Sequence, residues 1–126
     1  MSEEDKMTRD EILNMPAGRV LDALVAEKVM DWHWYKFLDP KLVDEAKGAW
    51  LDKDNRVMHN EWLPSTDIAD AWQVVEKMQS FELEMDYQES WHAYVNFPGE
   101  EWYSSIGDTA PLTICRAALL AVMDAE

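Results

Sequence analysis

The chain has 126 residues, enough for one domain with a real core and too few for two. Its 11 basic and 26 acidic residues leave a formal charge of -15, which argues against direct binding to DNA, RNA or an anionic membrane, where Lys and Arg must neutralise phosphates. The single cysteine, Cys115, excludes an internal disulfide and a Cys-based zinc site, and no Gly-rich phosphate loop is present among the four glycines.

Residues 1–7 read as a flexible acidic leader, and 8–126 as a single domain. The opening decapeptide MSEEDKMTRD lacks the apolar stretch of a signal peptide. The longest apolar run, Ala117 to Met123, is too short to span a bilayer, so the expected location is a cell's cytoplasm. Thr8 with Glu11 three residues on forms a capping box for a short helix, which Pro16-Ala17-Gly18 interrupts. From Arg19 to Met30, Val20, Leu21, Leu24, Val25 and Val29 recur at helical spacing and predict an amphipathic helix. The aromatic run Asp31 to Phe37 predicts a strand. In the less legible middle, Asp39-Pro40 and Asp52 to Asn55 signal turns, Leu42 to Trp50 suits a short helix, and Arg56 to Leu63 a strand.

Ser65 or Thr66 is expected to cap the next helix, along which Ile68, Trp72, Val75 and Met78 form the apolar stripe, widened by Ala71 and Val74. Three strands follow: Phe81 to Gln88, Trp91 to Phe97 and Glu101 to Ile106. Gln88-Glu89-Ser90 and Pro98-Gly99-Glu100 are the expected hairpin turns between them. Gly107 to Pro111 is a strong helix start. The helix from Pro111 to Met123 is apolar nearly all round, so it is central to the core or covered by a second copy. The fold class is α+β: an antiparallel sheet of about three to five strands sandwiched between helices.

Two segments, Ser65 to Met78 and Asp108 to Leu120, resemble the small phage proteins of the phage ABA sandwich domain family, and Asn14 to Met30 is similar to that family's opening. Together they cover roughly half the chain. The resemblance implies a phage or prophage origin and a sheet between helix layers. It carries no catalytic signature, so no residue inherits a role from it. The chain departs from the family in Leu38 to Asn60 and Phe81 to Trp102, where a specialised function would have diverged.

Chemistry is sparse. His33, His59 and His92 stand in no metal-ligand spacing, and no nucleophile motif occurs, so no cofactor and no enzymatic activity are expected. The strongest signal is charge. No Lys or Arg lies between Lys77 and Arg116, while Phe81, Leu83, Met85 and Tyr87 alternate with Glu82, Glu84 and Asp86. On a strand this alternation separates an apolar face from an anionic one, with successive carboxylates about 6.6 Å apart. That spacing is of the order of successive charges along a nucleic acid strand. His92, Tyr94 and Asn96 are expected beside the acids, with Trp91, Ala93, Val95 and Phe97 on the core side.

The leading reading is a phage-encoded inhibitor that binds a basic, nucleic-acid-handling host protein in the host cytoplasm, as anti-CRISPR and DNA-mimic proteins do. Its partner-binding residues are Glu82, Glu84, Asp86, Glu89, Tyr94, Glu100, Glu101 and Trp102. A second reading is a sponge for a nucleotide immune signal, needing a tryptophan to stack on the base and arginines drawn from Arg19, Arg56 and Arg116. A third is an assembly protein whose last helix makes a homodimer.

Overall fold

The computed structural model describes residues 8–36, 48–59, 61–96 and 101–124. A short helix α1, Arg9–Leu13, is closed by the anticipated box: Thr8 Oγ1 accepts from Glu11 N at 3.1 Å, and Thr8 N donates to Glu11 Oε1 at 2.8 Å. Helix α2 begins at Arg19–Leu24 and continues as a π-helical turn over Val25–Val29. Strands β1, His33–Lys36, β2, Gly48–Leu51, and β3, Val57–His59, form one antiparallel sheet in that order. Helix α3, Ile68–Val75, then leads to β4, Ser80–Met85, β5, Trp91–Asn96, and β6, Trp102–Gly107, the second antiparallel sheet, and the chain closes with α4, Ala110–Asp124. The α+β class and its antiparallel pairing agree with the sequence reading, but the strands divide into two sheets of three.

Helix α4 is the centre. Its run from Leu112 to Ala121 is buried except at Arg116, because β5 and β6 pack on it from one direction and α1, α3 and the end of α2 from others. The apolar surface that suggested a second copy is therefore consumed within one chain. Ile114, Leu119 and Leu120 meet Leu21, Val25, Val74, Ala93 and Val95 in one continuous core. Side chains of this kind contribute about 1.5–3 kcal/mol each when removed from water. Gly107 ends β6 where a Cβ would lie 2.5 Å from Thr113 Oγ1, so the strand reaches the first turn of α4 only without a side chain.

Several local expectations change. The cap of α3 is Asp67, whose Oδ1 accepts from Ala69 N at 2.8 Å, and neither Ser65 nor Thr66 fills that role. Ser65 instead accepts from Gly18 N at 3.0 Å and, through its own N, donates to Asp22 Oδ1 at 2.8 Å, tying the starts of α2 and α3 together. Ala71 and Val74 are the buried positions of α3, leaving Ile68 and Trp72 half exposed; Val20 likewise faces solvent. The end of the helix expected over 42–50 is strand β2, and the expected strand from Arg56 to Leu63 shortens to β3. The expected leader 1–7 and the Pro98-Gly99-Glu100 turn lie outside the described residues.

The aromatics are mostly structural. Trp32 and Trp62 meet edge to face at 4.7 Å, His59 lies 5.0 Å from Trp62, and Trp34 crosses Trp50 at 5.2 Å. Gly48 makes room for the Trp34 indole, since a Cβ there would come within 2.4 Å of the ring. His59 Nε2 hydrogen-bonds the Gln73 side chain at 3.1 Å, fastening the first sheet to α3.

Candidate functional site: the open face of the second sheet

The register of the second sheet decides which side chains share its outer face. Glu82 pairs with Tyr94 and Tyr94 with Ser104; Glu84 pairs with His92 and His92 with Ile106. Ser80, Asn96 and Trp102 make the third such row. The alternate residues Leu83, Ala93 and Ser105, with Phe81, Val95 and Tyr103, face the opposite way, towards α4. Each row thus runs across the strands from β4 through β5 to β6.

Two zones result. On β4, Glu82 and Glu84 are exposed, and neither lies within ion-pair distance of a cation among the described residues. On β6, Trp102 and Ile106 stand about half exposed, at 51% and 49%. Between them Tyr94 donates its hydroxyl to Glu84 Oε1 at 3.3 Å. Partial burial, with Glu84 and then Glu82 nearby, raises the phenol above its ordinary value.

Asp86 is different. It begins a tight turn in which Oδ1 accepts from Gln88 N at 2.8 Å and Ser90 N at 3.0 Å, while Oδ2 lies 2.8 Å from His92 Nε2. The hydrogen bond from His92, followed by those from the turn, holds this carboxyl below its ordinary range. Three of its acceptor positions are engaged inside the hairpin, so it is held by the turn as Glu82 and Glu84 are not. Asp52 does the same for the β2–β3 hairpin: Oδ1 accepts from Asp54 N and Arg56 N, and Oδ2 receives Arg56 Nε at 2.9 Å.

The remaining expected site residues scatter. Glu89 is exposed at the hairpin tip, with φ of 65°, in the left-handed region. Glu101 is exposed ahead of β6, on the opposite alternation from Trp102. Glu100 lies outside the described residues. Asn96 shares the outer alternation as expected, but it is buried rather than presented beside the acids. What sequence reasoning missed is Ile106, which the strand alternation could have placed beside Trp102. Of the arginines named for a nucleotide sponge, Arg19 opens α2, Arg56 binds Asp52 in a hairpin, and Arg116 on α4 binds Met15 O and Ile106 O. Cys115 is fully buried, which pushes its thiol well up and leaves it inert.

Among the described residues no group of three or more His, Cys, Asp or Glu is placed to hold a metal ion, and no helix is long and apolar enough to cross a membrane.

The family described as Phage ABA sandwich domain matches residues 23–119. A crystal structure at 2.0 Å of a phage protein from Bacillus cereus ATCC 14579 superposes with a TM-score of 0.62 at 24% identity, covering 86% of this chain and 95% of that one. At that identity the likeness is one of fold. No curated protein matches the chain.

Proposed function

The chain belongs to the phage ABA sandwich domain family, and from that premise we propose that it is a non-enzymatic binding protein that inhibits a basic, nucleic-acid-handling host factor, of the anti-CRISPR or DNA-mimic kind. It acts in the host cytoplasm through protein contact, without cofactor, membrane or direct nucleic acid binding. The observation that carries the reading is the uncompensated pair Glu82 and Glu84 on an open sheet face, in a stretch without any Lys or Arg from residue 78 to 115. Carboxylates on alternate strand positions, about 6.6 Å apart, match cations arranged for phosphates, and an overall charge of -15 accelerates encounter with them.

Tyr94 and Trp102 supply the aromatic anchors, and Glu89 and Glu101 extend the negative field at the margins. Asp86 adds its charge at the end of the same alternation, with its carboxylate held in place by the turn. Affinity capture from host cells tests the reading, using wild-type protein against the Glu82→Lys/Glu84→Lys double variant. Capture of a nucleic-acid-binding protein by wild type alone supports it. Equal capture by both, or a failure of nucleic acid to compete with the captured protein, overturns it.

A further inference from the structure

The acidic-face reading says that a basic partner binds; the other half of the same face says what shape that partner presents. Two rows matter. Glu82–Tyr94–Ser104 and Glu84–His92–Ile106 cross the sheet side by side, and Trp102 stands at the β6 end of the neighbouring row. The face is therefore anionic along one long margin and apolar along the other. Trp102 and Ile106 stand half exposed on the far side of the same face as the two free carboxylates.

The dimensions are also informative. Two interstrand spacings make the face about 10 Å wide, and six-residue strands make it about 20 Å long. An α-helix with its side chains is about 10–12 Å across, and about 13 residues of it cover 20 Å. An extended segment would bind at a sheet edge, through backbone pairing, and would leave this face untouched. A partner surface that offered cations alone would leave the apolar margin uncovered.

We infer that this face docks an amphipathic basic helix of the partner, lying along the strands. Its arginines reach Glu82 and Glu84, and its adjacent apolar stripe covers Trp102 and Ile106. Helices occupy only one face of this sheet among the described elements, and the partner's helix supplies a layer on the other. Arginine fits better than lysine, because a planar guanidinium can pair with Glu84 while stacking on the Tyr94 ring. The inference rests on the acidic-face reading and adds to it a secondary structure and an apolar contact.

The test uses the full chain and two synthetic peptides of roughly 13 residues, identical in composition. One segregates Arg and Leu onto adjacent helical flanks, and the other is scrambled. Binding is read by fluorescence anisotropy over a salt series. The segregated peptide is expected to bind on the order of tenfold tighter. Trp102→Ser/Ile106→Ser should remove that advantage and leave the salt slope unchanged, whereas Glu82→Gln/Glu84→Gln should weaken binding and flatten the slope. All four positions are exposed, and circular dichroism confirms that the variants keep the fold.

If both peptides bind equally and only the glutamine variant weakens them, the helix inference falls while the acidic-face reading stands. If the glutamine variant binds as wild type does, both fall. If neither peptide binds wild-type protein, the helix inference falls, and capture from host cells decides the acidic-face reading separately.

Discussion

Arg116 and Met15, 101 residues apart in sequence, are joined by a forked contact: the guanidinium donates from Nε at 3.0 Å and from its NH2 nitrogen at 2.9 Å to the Met15 carbonyl oxygen. The third nitrogen donates to Ile106 O at 2.9 Å. One side chain of the central helix thus ties the end of the first helical segment to the last strand. It is also the reason a charged residue sits on an otherwise buried helix.

Arg116→Ala removes three charge-assisted donors and should destabilise the fold by about 2–3 kcal/mol. Arg116→Lys should recover less than half of that, because a single ammonium cannot reproduce the fork toward both carbonyls. Urea denaturation monitored by tryptophan fluorescence gives both values. Equal stability of wild type and the lysine variant would show that charge alone, and not the fork, matters.

Asp22 should make stability fall as pH rises. Burial lifts its carboxyl above the ordinary 3.8, against the opposing hydrogen bonds from Ser65. A carboxyl raised in the folded state contributes stability that is fully present below its unfolded value and lost as pH climbs through its folded value. Asp22→Asn keeps an acceptor for Ser65 N and removes the buried charge, so its stability relative to wild type should increase over that climb and then level off. Asp22→Ala should cost about 1–3 kcal/mol, the usual penalty for leaving a buried N–H without a partner. Thermal melts from acid to neutral pH distinguish the variants.

The two hairpin aspartates act in the opposite direction. Asp86 is held down chiefly by its hydrogen bond with His92, and Asp52 chiefly by the backbone N–H of Arg56. Depressed carboxyls contribute stability that is present above the unfolded value and lost as pH falls through the folded one. Acid should therefore loosen both turns before the core opens. Amide exchange should show it: protection of Gln88, Ser90, Asp54 and Arg56 N–H should drop together below the ordinary carboxylate range. Asp86→Ala, which removes the accepting oxygen, should produce the same loss at Gln88 and Ser90 at neutral pH, while Asp54 and Arg56 stay protected.

Much of this was readable from residue order, for reasons that differ by element. Thr8 and Glu11 announce α1 because the cap is local, and β4 announces itself because alternation of Phe81, Leu83 and Met85 with acids is a property of one strand. The buried face of α3 was misread because Ile68 and Trp72 are larger and more apolar than Ala71, yet close packing on α4 selects the small residue. The turn role of Asp86 is hidden for a related reason. Its alternation with Glu82 and Glu84 is perfect in sequence, but the chain turns at that residue, and the turn's own N–H groups claim the carboxylate. Each sheet is a run of three consecutive strands and α3 separates the two runs, but strand patterning says which residues are extended and not whether β3 and β4 pair.

Glu89 separates stability from binding. At φ of 65° it occupies the left-handed region, which costs a residue with a Cβ roughly 1–2 kcal/mol relative to glycine. Asn55 holds the equivalent position in the other hairpin, at φ of 64°, where asparagine is better tolerated. Glu89→Gly should therefore stabilise the protein by about 0.5–1 kcal/mol, and Asn55→Gly by a smaller amount. Glu89 lies at the tip and not in the cross-strand rows, so its removal should slow association with a basic partner at low salt while leaving dissociation unchanged. Stopped-flow association measured beside denaturant melts reads both effects. A stabilised variant with a faster dissociation rate would move the partner's footprint off the sheet face and onto the hairpin tip.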